Sequence, residues 1–368
     1  MREYVLVLLI AAATTFLMSG VCRRVALRFG ATAKVRDRDV HTIPIPYFGG
    51  VAMLFGVAAA ILVATNLPWL GRHVGVQHDA YAVLAGAAII CMVGTLDDLF
   101  ELNAIAKFAG QVFAAGVVVA LGVKMLWIPV GDTIYSLDNV ASVAITVFFV
   151  VLCSNAVNFV DGLDGLATGV VGIGALAFFG YSYWLAYEQD LVLATTSSLV
   201  TVALAGACIG FLPHNFFPAR MFMGDSGALL LGLLLASSTV SLTGQIDSEQ
   251  MRGASGTDLV PAFLPLVLPL AVLALPFLDL VLAVVRRTYA GKWWFVADRQ
   301  HIHHRLLERG HSQRRAVVLM YFWSALISGS VIALGLVRTW WAIGLVGLLA
   351  VAVVVATWWP TRKRELEV

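Results

Sequence analysis

The chain has 368 residues, of which 60% are hydrophobic and 12% charged, with a formal net charge of +2. Soluble domains hold roughly 45–50% apolar and 25% charged residues, so a bilayer must be the solvent for most of this surface. The small net charge, and the lack of any block of five or six basic residues, exclude nucleic acid as a partner on electrostatic grounds.

A hydrocarbon core about 30 Å thick needs roughly 20 apolar residues of helix, and apolar runs near that length predict eleven spans. Their extents are 4–21, 48–66, 80–96, 107–123, 139–155, 165–186, 192–212, 226–243, 258–285, 316–336 and 340–359. The first run lacks a small-residue cleavage site and feeds into more membrane sequence, so it reads as a span and not as a leader. Residues 124–139, with strand-forming side chains around Pro129 and Gly131-Asp132, predict a small extramembrane hairpin. The ninth run holds Pro261, Pro265, Pro269 and Pro276 and reads as one kinked helix. The expected architecture is an all-α polytopic membrane protein, one domain over 1–368. Cys22, Cys91, Cys153 and Cys208 are widely spaced, without a C-x-x-C pair, and read as small membrane-core residues.

Lys and Arg placement sets an expected orientation. With the N-terminus outside and the C-terminus inside, the inner segments carry 19 of the 24 basic residues and the outer ones five. Four polar motifs then fall on the cytoplasmic side. Asp97-Asp98 ends the third span, Asn155, Asn158, Asp161 and Asp164 follow the fifth at steps of three, Gly224-Asp225-Ser226-Gly227 opens the eighth, and His301-x-His303-His304 follows the ninth.

Each motif has a plain structural reading beside a chemical one. Adjacent carboxylates at the edge of lipid repel, so a site that keeps both supplies a cation or protonates one; otherwise they mark a helix end. A three-residue step lets four side chains share a helix face and converge on one ligand, whereas two Asp-Gly pairs also make simple turns. Asp225 between glycines suits a metal or phosphate near a helix N-terminus, or serves as a plain N-cap. Hard oxygen ligands point to Mg²⁺, which takes one or two protein carboxylates and completes its shell with water and phosphate. The histidine run, followed by Arg305, reads as an anion site for a nucleotide diphosphate, as an exposed basic loop, or as a zinc site, which no Cys or H-E-x-x-H accompanies. Trp293-Trp294-Phe295 reads as an interfacial anchor.

Taken together these motifs resemble the polyprenyl-phosphate N-acetylhexosamine-1-phosphate transferases, the family that includes MraY, WecA and TagO. The resemblance rests on His41-x-x-Pro44-x-Pro46-x-x-Gly49-Gly50, Asp97-Asp98 followed by Lys107 and Gln111, the run NAVNFVDGLDGL from Asn155, Met223-Gly224-Asp225-Ser226-Gly227, and Pro276-x-x-Asp279 leading to His301-Ile302-His303-His304. The interrupted histidine run resembles the WecA/TagO branch more than the peptidoglycan-precursor branch. The resemblance implies transfer of a sugar-1-phosphate from UDP-N-acetylglucosamine to undecaprenyl or decaprenyl phosphate, with Mg²⁺ as cofactor and Mn²⁺ as an alternative. It implies catalytic roles for Asp97, Asp98, Asp161 and Asp164 and metal ligation by Asp225 and Asp98. Substrate contacts would come from His41, Lys107, Asn155, Asn158, Asp279, His301, His303, His304 and Arg305. It further implies a plasma-membrane location and a homodimer. A sister transferase using another UDP-amino sugar is the nearest alternative; a transporter would place its carboxylates near the midplane in repeated halves.

Overall fold

The computed structural model describes residues 1–33, 44–130, 133–188, 194–243, 311–336 and 340–358, with isolated positions between 266 and 291. Its elements in chain order are α1 (Arg2–Phe29), α2 (Gly49–Ala64), a 3-10 turn (Leu70–Arg72), α3 (Val74–Phe100), α4 (Ala104–Ala120), strands β1 (Trp127–Val130) and β2 (Thr133–Ser136), α5 (Asn139–Val160), α6 (Leu166–Glu188), α7 (Ala194–Asn215), α8 (Gly224–Thr243), α9 (Gln313–Leu336) and α10 (Trp340–Trp358). Among the described residues seven helices are long and apolar enough to cross a membrane, and three shorter apolar helices join them. Helices are the expected answer for a chain whose backbone polar groups find no water in the bilayer core. The protein is a multi-pass membrane protein.

Ten of the predicted spans coincide with these helices; the ninth, 258–285, lies mostly outside the described residues. Some helices run further than the apolar runs, although α2 is shorter than its run at both ends. α1 continues through Arg23, Arg24 and Arg28 until Gly30 turns left-handed (φ 69°), and α3 continues through Asp97 and Asp98 until Glu101 does so (φ 51°). A charge ends an apolar run but does not end a helix, whose stop is a backbone event. The hairpin is present, with Trp127 opposite Ser136 and Val130 opposite Thr133. All four cysteines are buried and free.

α8 is the centre of the bundle. Every residue of it except Asp225 is buried, and it packs against α2, α3, α5 and α7. Its sequence is apolar or small all round, as a fully enclosed helix requires. Close approach depends on glycine. A Cβ on Gly232 would lie 2.4 Å from Ser154 Cα of α5, one on Gly94 of α3 would lie 2.4 Å from Ser226 Cα, and one on Gly50 of α2 would lie 2.2 Å from the Gly227 nitrogen.

The connections gather at two ends. At one, Glu3 of α1 accepts hydrogen bonds from the Trp69 and Leu70 N–H groups, both at 2.9 Å, and Lys124 beside the hairpin donates to Asn139 Oδ1 of α5 at 2.7 Å. At the other, Gly49 and Gly50 at the start of α2 donate their N–H groups to the Phe222 and Met223 carbonyls, both at 3.1 Å. There too Arg23 of α1 donates to the Arg220 carbonyl at 3.2 Å, and Arg314 of α9 to the Phe217 carbonyl at 3.2 Å. The segment joining α7 to α8 is thus held from three sides.

Gly232→Ala, overpacked against the α5 backbone, is expected to cost about 1–3 kcal/mol, whereas Gly116→Ala on α4, whose Cβ would meet nothing within 4 Å, is expected to be neutral or to gain up to about 1 kcal/mol. Thermal denaturation of the two variants in detergent checks the contrast.

Candidate active site at the N-terminus of α8

The candidate site forms where α3 ends, α4 begins and α8 begins. Gly224 is left-handed (φ 70°), which turns the chain into α8 with its first N–H groups facing α3. Asp98 takes them: its Oδ1 accepts from the Asp225 N–H at 2.8 Å and its Oδ2 from the Ser226 N–H at 3.2 Å. A carboxylate against otherwise unpaired N–H groups at the positive end of a helix is favourable on both hydrogen-bonding and dipole grounds. The fit is tight, for a Cβ on Gly224 would lie 2.4 Å from Asp98 Oδ2. The simple N-cap reading of Asp225 is therefore corrected: Asp98 caps α8 from a neighbouring helix, which frees the Asp225 carboxylate to face elsewhere.

It faces Lys107. The Lys107 ammonium, in the first turn of α4, binds Asp225 Oδ2 and also Asp97 Oδ2, the latter at 2.7 Å. Asp97 Oδ1 accepts from the Leu102 N–H at 2.9 Å, which fixes the bend between α3 and α4. Asn103 caps α4 by accepting from the Ala106 N–H at 2.8 Å, so Lys107 stands one turn into a helix whose start is set.

One turn further along α4, Gln111 is buried and exchanges amide bonds with Asn155 of α5. Asn155 Nδ2 donates to Gln111 Oε1 at 2.6 Å, and Gln111 Nε2 donates to Asn155 Oδ1 at 3.3 Å. Asn158 follows on α5, half-buried. The expected run of four side chains on one helix face ends here, because α5 stops at Val160. Asp161 and Asp164 lie on the turn that leads to Gly165, which is left-handed (φ 78°); convergence is achieved by a turn and not by helical drift.

The turn splits the two carboxylates between different tasks. The Asp161 carboxyl is pushed up to about 8 by burial first, and then by the neighbouring charges of Asp225, Asp98 and Asp164. Asp164 is buried, and its Oδ2 accepts from the Ala219 N–H at 2.9 Å in the α7–α8 connection. Asn215, at the end of α7, ties the same two segments: its Oδ1 accepts from the Gly165 N–H at 3.1 Å and the Thr168 hydroxyl at 2.9 Å, and its Nδ2 donates to the Met221 carbonyl at 3.1 Å. Sequence reading passed over Asn215, although a His-Asn pair just after Pro213 at the end of an apolar run was an available signal. His41, Asp279, His301, His303, His304 and Arg305 lie outside the described residues.

Negative charge exceeds positive charge here. Among the described residues Asp97, Asp98, Asp161 and Asp225 act on one another around the Lys107 ammonium, so the donor chemistry, hard oxygen in excess, fits a divalent cation. Among the described residues no three His, Cys, Asp or Glu side chains are grouped to hold a metal on their own. Hard oxygen donors of this kind fit Mg²⁺, which takes only one or two protein carboxylates. Asp225 is the better placed, since both Asp98 oxygens already accept from backbone.

Comparison with known proteins bears on this geometry. Residues 80–243, which run from α3 to the end of α8, match the family model described as glycosyl transferase family 4. The decaprenyl-phosphate N-acetylglucosaminephosphotransferase of Mycolicibacterium smegmatis is 45% identical over 332 residues, covering 89% of this chain and 81% of that protein. The chain belongs to the polyprenyl-phosphate N-acetylhexosamine-1-phosphate transferase family. Within the family it is also similar to the probable undecaprenyl-phosphate N-acetylglucosaminyl 1-phosphate transferase of Bacillus subtilis, at 31% identity over 95% of this chain and 90% of that one. Similarity to the phospho-N-acetylmuramoyl-pentapeptide-transferase of Desulforudis audaxviator, 36% identical, covers 63% of this chain and 75% of the relative. As a transferase of this family the protein carries its acidic residues where three matched segments meet, at the ends of α3, α5 and the α7–α8 connection.

A carboxyl raised on folding favours the protonated form, so its contribution weakens as pH rises from its ordinary value of 3.8 toward about 8. In chelator, thermal stability is expected to fall over that window and Asp161→Asn to flatten the fall; added Mg²⁺ is expected to raise the melting temperature more at pH 8 than at pH 6. Differential scanning fluorimetry across pH checks both. Lys107→Met, which keeps the stem but strands Asp97 and Asp225, is expected to cost about 1.5–3 kcal/mol in chelator, read in the same assay.

Proposed function

We propose that the protein transfers N-acetylglucosamine-1-phosphate from UDP-N-acetylglucosamine to decaprenyl or undecaprenyl phosphate, releasing UMP and leaving a polyprenyl diphosphate sugar. The observation that carries this reading is the joining of Asp97, Asp225 and Lys107 beside the capped start of α8, in a chain 45% identical to a decaprenyl-phosphate N-acetylglucosaminephosphotransferase. The N-acetylglucosamine reading is favoured over the muramoyl-pentapeptide one because the first similarity is higher and covers 89% of the chain against 63%.

The acceptor has a long apolar chain that stays in the bilayer and a phosphate that stays at its surface. Catalytic groups therefore belong at helix ends, and the basic-residue bias supports placing this end in the cytoplasm, with the N-terminus outside and eleven spans. A lipid phosphate oxygen attacks the sugar-bearing phosphorus of the donor; a new P–O bond forms, the bond to the bridging oxygen breaks, and UMP leaves with that oxygen. By family resemblance Asp98 would orient or deprotonate the attacking phosphate and Asp161 would contact nucleotide or metal. Because both Asp98 oxygens accept from the α8 backbone, the first task is assigned instead to Asp161, which feels the charges of Asp225 and Asp98. Lys107, with one N–H left beyond its two carboxylate partners among the described residues, is suited to reach a phosphate oxygen. By family resemblance Asn155 and Asn158 on α5, with His41, Asp279, His301, His303, His304 and Arg305, supply further substrate contacts. Mg²⁺ when bound, with Asp225 as its ligand, supplies neutralisation of the diphosphate. Catalysis is then positioning plus electrostatics, and a homodimer in the plasma membrane belongs to the same reading.

Detergent-purified protein given UDP-N-acetylglucosamine, polyprenyl phosphate and Mg²⁺ is expected to release UMP in a lipid- and Mg²⁺-dependent manner. Asp225→Asn and Asp98→Asn are each expected to lower turnover by at least about a hundredfold. UMP from another UDP-sugar alone would reassign the donor, and no UMP from any donor would overturn the reading.

A further inference from the structure

Gly165 is gripped from both sides. Its N–H donates to Asn215 Oδ1 at 3.1 Å, and its carbonyl accepts two bonds, the Gly169 N–H at 2.9 Å and the Tyr321 hydroxyl at 2.5 Å. Tyr321 comes from α9, which lies outside the segment matched to the glycosyl transferase family 4 model. Its ring is seated on bare backbone, because a Cβ on Gly169 would lie 2.1 Å from two of its ring carbons. A side chain at 165 would also meet the Tyr321 hydroxyl and Phe216, both at 3.2 Å.

The residue held this way is the last of the turn that carries Asp161 and Asp164. Its other end is fixed by α5, so the turn has little freedom once Gly165 is fixed. α9 also bonds α6 itself, from the Ser324 hydroxyl to the Val170 carbonyl at 3.4 Å. A bond of that length adds little to helix packing, whereas the Tyr321 bond is short and lands on the turn itself. Packing of α9 on α6 accounts for a tyrosine ring on a glycine; it does not account for the hydroxyl being spent on the carbonyl of the one left-handed residue next to the acidic pair.

We propose that Tyr321 is a positioning residue of the transferase reaction, its hydroxyl locking Gly165 so that Asp161 is presented toward Asp225 at the start of α8. This rests on the reaction proposed above, through Asp161 as one of its working groups. Tyr321→Phe keeps the ring on Gly169 and removes only the hydroxyl; Ser324→Ala removes an α9-to-α6 side-chain bond away from the turn and serves as the control.

Two readouts on full-length protein in detergent separate the lock from simple stability. Hydrogen–deuterium exchange is expected to rise in the peptide spanning residues 161–166 of Tyr321→Phe, and to stay at the wild-type level there in Ser324→Ala. Turnover with UDP-N-acetylglucosamine and polyprenyl phosphate is expected to fall about tenfold in Tyr321→Phe with KM for the lipid unchanged, and to hold within twofold in Ser324→Ala. Unchanged exchange at 161–166, unchanged turnover, or equal losses in the two variants would overturn the assignment. If wild-type protein releases no UMP, the reaction assigned above fails and with it the positioning role, while exchange alone then reports whether the hydroxyl locks the turn.

Discussion

The site depends on one carboxylate that is occupied with backbone. Asp98 spends both oxygens on the first N–H groups of α8, and by doing so fixes the end of α3 to the start of the central helix. Everything that meets there inherits its position from this contact. Asp225 is turned toward α4 because its own backbone is already held, Lys107 bridges to it and to Asp97, and the glycines at 50, 94 and 224 exist because no other side chain leaves room for that approach. A buried helix start needs partners for its N–H groups, and the fold meets that need with a carboxylate from a neighbouring helix.

Helix existence was legible in composition and run length, and ten predicted spans are helices here. Their ends were not, because Arg23 and Asp97 look like loop residues to any reading based on polarity, while the structure keeps them helical until Gly30 and Glu101. The difference decides the chemistry: carboxylates in the last turn of α3 are aimed by a helix, and those in a loop would not be.

The acidic motifs were legible as a set, and their division of labour was not. Asp97 and Asp98 are neighbours in sequence with different employers, one binding Lys107 and the Leu102 N–H, the other capping α8. Asp161 and Asp164 sit three residues apart yet face a charged cluster and a backbone N–H respectively. Gln111 enters the motif only as a spaced polar residue until its mutual amide pair with Asn155 shows what it holds. Apart from that of Asp97, whose partners lie 5 and 10 positions on, such roles are set by partners 44 to 128 positions away in sequence, and no local pattern carries them.

A helix with no lipid contact has a consequence for how the enzyme lives in its membrane. Apart from Asp225 at its start, α8 is buried in protein along its length, so changes in bilayer thickness or fluidity are absorbed by the tilt and snorkelling of the peripheral helices before they reach it. The end of α8 that carries Asp225 is mounted on an inner post, mechanically insulated from a solvent whose composition varies. The acceptor arrives through that solvent, but the frame that receives it does not have to move with it.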